Sequence, residues 1–173
     1  MNRRTALAFT AFVAVVIFTN WITAELGFVT WLGVAATAGT WFAGFAFVAR
    51  DYLQESGGKR WVVAAILLGA VISAWFSPAL AVASGVAFLV SELADFAVYT
   101  PLRKRGKTRA AIASNVVGSV VDSVLFLYLA GFPLSGTPTQ VLVKVGTTTV
   151  FVLGVRLAVS RQSLRTEGGG RNA

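Results

Sequence analysis

Between Thr5 and Ser160 the chain alternates uncharged or nearly uncharged stretches of about twenty residues with short connections, and this pattern decides the solvent in which it folds. A bilayer core about 30 Å thick takes roughly 20 apolar residues of helix at 1.5 Å each. Runs of that length, bounded by charge, Pro or Gly, lie at Thr5 to Ala24, Gly27 to Ala49, Trp61 to Phe76, Ala79 to Tyr99, Ala110 to Ala130 and Gln140 to Ser160. Ser77-Pro78 is the natural turn between the third and fourth, and Gly131-Phe132-Pro133 ends the fifth. The mean hydropathy of +0.74 fits lipid rather than water as the solvent.

Fourteen of the fifteen lysines and arginines fall before the first run, after the second, after the fourth, or at the end of the sixth and beyond. The alternate connections hold none, so the positive-inside rule places the basic side in the cytoplasm. The expected fold is therefore an all-α integral membrane bundle of six transmembrane helices, with both termini in the cytoplasm. Residues 1–160 form the transmembrane domain and 161–173 a Gly- and Arg-rich cytoplasmic tail that reads as disordered. The first run is longer than a signal-peptide core and leads into Trp21, which argues for its retention as a span. Topology accounts for the net charge of +8, so no nucleic-acid partner is needed. The bilayer is the expected environment, a bacterial cytoplasmic membrane crossed several times.

The chain has no Cys and, equally, no His. Disulfides, thiolate or His-ligated metals, and Ser-His or Cys-His nucleophile pairs are excluded, so no metal, cofactor or catalytic residue is assigned. The Gly57-Gly58-Lys59 stretch lacks the spacing of a phosphate-binding loop, and the chain is read as a non-enzyme.

Charges inside the apolar runs are costly and point to function. Counted along ideal helices from the nearest cytoplasmic basic residue, Glu92 lies about 16 Å deep, Lys144 about 18 Å and Asp122 about 20 Å, with Asp95 shallower at about 12 Å. Three charges on three helices at one depth predict a shared cavity near the midplane. Neighbours at helical spacing extend it: Phe88 with Glu92, Asn115 and Ser119 with Asp122, and Asn20 late in the first run. Three carboxylates against one ammonium leave two negative charges in excess, which calls for protonation, water or a cationic solute. Asp51, at the inner end of the second run, is a candidate gate, and Asp95 a candidate proton relay. Simple pairing of Lys144 with Glu92 or Asp122 as internal glue is the alternative.

Four stretches, Thr19-Asn20, Gly39 to Asp51 (GTWFAGFAFVARD), Ser91 to Arg103 (SELADFAVYTPLR) and Ser114 to Phe126 (SNVVGSVVDSVLF), are followed by Lys144. In order and spacing they resemble the vitamin uptake transporter or queuosine-precursor transporter family. Glu92 departs from the resemblance, standing where some members carry an uncharged polar residue. The resemblance implies uptake of 7-cyano- or 7-aminomethyl-7-deazaguanine, a purine-like small molecule. A deazaguanine offers paired N–H donors to a carboxylate, an oxygen to Lys or Asn, and a flat face to aromatic rings. Glu92 or Asp122 would hold the donors, Lys144 or Asn115 the oxygen, and Phe88 or Trp41 a ring face. An aminomethyl group would supply the positive charge that the acidic excess lacks. Three other readings stay open: a substrate-binding subunit served by a separate ATPase, a membrane enzyme, and a structural or pore-forming protein. A homodimer is a further assembly the sequence allows.

Overall fold

The computed structural model describes residues 2–150, and most of them are helical. Helix α1 (Arg3–Leu26) starts where the Asn2 side chain accepts the Thr5 N–H, and it ends at Gly27, whose φ of 59° few other residues tolerate. Helix α2 spans Thr40–Gly57 and α3 Lys59–Ser73. Helix α4 (Pro78–Leu102) is capped by the Ser77 hydroxyl with Pro at its first position, which places the α3–α4 turn at the expected Ser77-Pro78. Helix α5 covers Lys107–Leu129, and α6 runs from 137 through 150, the last described residue. The tail and the rest of the last apolar run lie outside the described residues.

The second apolar run is not one helix, as the sequence reading had it. Phe28–Trp31 (β1) and Val34–Thr37 (β2) form an antiparallel hairpin in which Trp31 faces Val34. Leu32 and Gly33 turn it with φ of 53° and 77°, the two positive values a tight hairpin turn requires. Hydropathy cannot separate such a β-branched and aromatic strand pair from a helix. Helix α2 therefore begins at Thr40 and extends eight residues past Ala49, the expected end of the run.

Isolated hairpins are marginal, and this one is tied down from several sides. The Ala38 N–H donates to Gly27 O (2.9 Å), the Gly39 N–H to Thr23 Oγ1 (2.9 Å) and Gln140 Nε2 to Thr37 Oγ1 (3.0 Å). The Phe28 ring meets Phe132 edge-on at 5.3 Å.

At the opposite end, Thr5 Oγ1 donates to Ser56 O (2.8 Å) and Lys59 Nζ sits 3.4 Å from the Phe96 ring centroid. The basic end of α1 thus lies beside the α2–α3 junction, and the start of α3 beside α4. One end of the bundle gathers these basic positions, as the charge pattern requires.

The burial pattern is that of a protein dissolved in lipid. On α6, Lys144 is 4% exposed while Leu142, two residues earlier, is 64% exposed. Val71, Leu93 and Trp75 face outward, whereas Asn20, Gln140, Asp122 and Ser123 are buried. In water, so much exposed apolar surface would drive association. In a bilayer it is the ordinary exterior, and small or polar residues mediate helix packing. An apolar core of Ala8, Phe12, Val13 and Val16 against Ala46, Leu53, Ala65 and Ile66 joins α1, α2 and α3.

Two glycines set how closely α2 approaches its neighbours. A Cβ on Gly39 would collide with the Thr19 carbonyl of α1, and one on Gly44 with the Thr147–Thr148 backbone of α6. One on Gly118 would make an ordinary 3.6 Å contact with Asp95. Thermal unfolding in detergent should therefore show Gly39→Ala and Gly44→Ala destabilised by about 1–3 kcal/mol each. Gly118→Ala should stay within about 0.5 kcal/mol of the parent.

Candidate functional site

Helix α5 presents Asp122 and Ser123 toward α6, and Lys144 on α6 reaches back to both. Its Nζ donates to Asp122 Oδ2 (2.5 Å) and to Ser123 Oγ (2.9 Å). Both partners of the ion pair are buried. In a low-dielectric interior a lone ammonium or carboxylate would cost several kcal/mol, so the pair and its hydroxyl are one neutral unit.

That unit faces a cavity of about 70 Å³ lined by residues of all six helices, with Ile66 from α3, and by Thr37 of the hairpin. At about 10–15 Å³ per water this is room for a handful of waters, so a bicyclic solute requires the helices to move apart. Asn20 projects into it from α1 and donates to Ser84 Oγ of α4 (2.9 Å). Phe47, Phe88 and Phe126 supply aromatic surface, while Thr37 and Thr40, whose hydroxyls lie 2.7 Å apart, line it toward the hairpin.

The Phe47 and Phe88 rings stack at 5.6 Å with 28° between their planes, and together they form the cavity's floor toward the basic end. One turn further along the same two helices lies a second charge pair. Arg50 Nη1 bonds Glu92 Oε1 (2.9 Å) and Asp51 Oδ1 (3.2 Å), and its guanidinium is 5.9 Å from the Phe47 ring centroid. Arg50 is only 6% exposed, and its Nε has no partner among the described residues.

Of the residues singled out in the sequence, Asn20, Phe88, Asp122 and Lys144 line the cavity together. Glu92 does not join them, because Arg50 captures it below the phenylalanine floor. The expectation that three charges share one cavity is corrected accordingly. Ser119 is buried but off the cavity wall, and Asn115 is exposed on the outside of α5. Trp41 packs edge-on against Trp31 at 5.0 Å, in a shallow groove beside the hairpin. Asp51 is half-exposed at the Arg50 pair, and Asp95 lies against Gly118 at the α4–α5 contact.

Arg50 is not among the residues the sequence singles out, since it falls with the basic residues that follow the second apolar run. Its position three residues after Phe47 places it on the same helical stripe, and the next basic residues, Lys59 and Arg60, are better candidates for the helix end. Ser123 and Ser84, which complete the two polar pairs of the cavity, were also missed. Serines beside charged or amide side chains carry no distinguishing signal in a single sequence.

Residues 74–160 match the family model described as "Putative vitamin uptake transporter". The chain belongs to this family. The matched half of the chain contains Ser84, Phe88, Glu92, Asp122, Ser123 and Lys144, so both charge pairs draw at least one member from it. No curated protein and no solved structure matches the chain. Family membership and the apolar exterior together make this a membrane protein of the transporter class; α1 and α4 are each long and apolar enough to cross a bilayer.

Removing one member of a buried ion pair costs more than removing both, since the survivor is left charged and unpaired. Arg50→Leu should lower stability by about 3–5 kcal/mol in detergent unfolding, and adding Glu92→Gln should restore at least half of that loss. Equal destabilisation by the single and double variants would show that the pair is not an energetic unit.

Proposed function

We propose that this protein carries a planar, purine-like heterocycle across the bacterial cytoplasmic membrane, with 7-deazaguanine precursors of queuosine as the solute class. The observation that supports this reading best is the cavity itself. Its charged unit, Lys144 with Asp122 and Ser123, stands among the rings of Phe47, Phe88 and Phe126, opposite the amide of Asn20. Flat heteroaromatic solutes need this combination of aromatic faces and a few directional polar groups.

In this reading all six helices cross the bilayer with both ends in the cytoplasm, and the hairpin covers the outer end between α1 and α2. Lys144 retains a third N–H for a solute oxygen, since two are directed at Asp122 and Ser123. Asp122 and the Asn20 carbonyl oxygen are acceptors for ring N–H and amine donors. Transport proceeds by alternating access. Toward the cytoplasm, opening requires the Phe47–Phe88 stack and the Arg50–Glu92 pair beneath it to part. Asp51 shares the Arg50 guanidinium and belongs to this inner gate, and Asp95, one turn beyond Glu92, is placed to relay a proton if transport is proton-linked.

Proteoliposomes containing the purified chain, without nucleotide or partner, should accumulate labelled 7-cyano-7-deazaguanine. Asn20→Ala should lower uptake about tenfold, as expected for a lost buried hydrogen-bonding group. Asp122→Asn should lower it at least as much. Uptake that appears only with an added ATPase would assign the chain to a multi-subunit transporter, and parent-level uptake by the Asp122 variant would overturn the site.

A further inference from the structure

The charge count of the cavity differs from that of the sequence, and the difference bears on which solute fits. Glu92, Asp122 and Lys144 at one depth, with Asp95 shallower, leave the sequence an acidic excess suited to a cation. In the folded chain Glu92 is removed from the cavity by the Phe47–Phe88 floor and neutralised by Arg50. Among the described residues lining the cavity, the charged groups are Asp122 and Lys144, one of each sign and bonded to each other.

We infer that Lys144 is the specificity-determining residue of this site: by neutralising Asp122 it makes the cavity select neutral planar heterocycles and reject their cationic relatives. The inference rests on the proposed deazaguanine reading and deepens it. A cationic solute entering the cavity leaves water and finds no unpaired carboxylate among the described lining residues, because Asp122 accepts from the ammonium of Lys144, which also donates to Ser123 Oγ. The lysine cannot diffuse away to make room. A neutral solute brings no such cost and can still use the third N–H of Lys144, the Asn20 amide and the aromatic faces. The same neutrality uncouples the loaded cavity from the membrane potential, since a neutral solute adds no charge to the moving site.

The test compares two ligands with the same ring: 7-cyano-7-deazaguanine, which is neutral, and 7-aminomethyl-7-deazaguanine, whose amine is protonated at neutral pH. Binding to the purified parent, read by calorimetry at neutral pH, should favour the nitrile on the order of tenfold or more, the scale on which a nearby charge shifts the balance between charged and neutral forms. Lys144→Gln leaves Asp122 an unpaired carboxylate and should reverse the preference. Asp122→Asn combined with Lys144→Gln restores a neutral, hydrogen-bonded pair and should restore the parent's order. That double variant, free of a buried unpaired charge, serves if the single variant does not fold. Equal or tighter binding of the amine by the parent overturns the charge filter while leaving the carrier reading standing. So does a preference that follows neither variant. Failure of the folded parent to bind either ring overturns the deazaguanine reading and the filter with it.

Discussion

A charge in a lipid-embedded interior must find its opposite within reach, and the inner architecture of this protein follows from that rule. Each buried charge among the described residues has a single dominant partner on another helix: Lys144 on α6 with Asp122 on α5, Arg50 on α2 with Glu92 on α4. With no bulk hydrophobic effect to press helices together in a bilayer, these pairs and the close glycine contacts fix how α2, α4, α5 and α6 sit around the cavity. The low dielectric that makes each pair cohesive also makes it costly to break, which ties the helix arrangement to the charge state of the cavity.

The two pairs are separated by a layer of aromatic rings, and the separation matters chemically. Phe47 stands three residues before Arg50, and Phe88 four before Glu92, so each helix carries its ring and its charge on one stripe. Stacking of the rings therefore aligns the charges one turn below. A displacement of α2 against α4 that parts the rings must also stretch the ion pair. The floor of the cavity is thus a two-layer element, apolar toward the cavity and ionic toward the basic end.

Much of this was legible in the sequence, for reasons that also mark where legibility ends. Apolar length and the spacing of basic residues locate the helices, because both report directly on a slab of fixed thickness. Depth counting placed Asp122 and Lys144 at one level, and the structure pairs them. The same counting placed Glu92 there too, and failed, because depth says nothing about azimuth or about a competing partner. Arg50 was that partner. It was read as the end of a span only because the hairpin at residues 28–37 was invisible to hydropathy, and that pushed α2 eight residues further along the chain than expected.

The hairpin and the cavity are linked by the same displacement. Ten residues of strand and turn take up the first part of what reads as a helical run, so α2 starts late and brings Thr40, Ala43 and Phe47 to the level of Asn20 and Asp122. Had the run been helical from Gly27, it would have reached its charged end near Arg50, leaving that arginine at the water boundary and Glu92 without a buried cation. The Gln140 to Thr37 hydrogen bond joins the hairpin to α6 on one side, and the Thr37–Thr40 hydroxyl pair joins it to α2 on the other. A turn of two positive-φ residues at the hairpin therefore determines, through the length of one helix, which carboxylate Arg50 meets and leaves the cavity with a balanced charge.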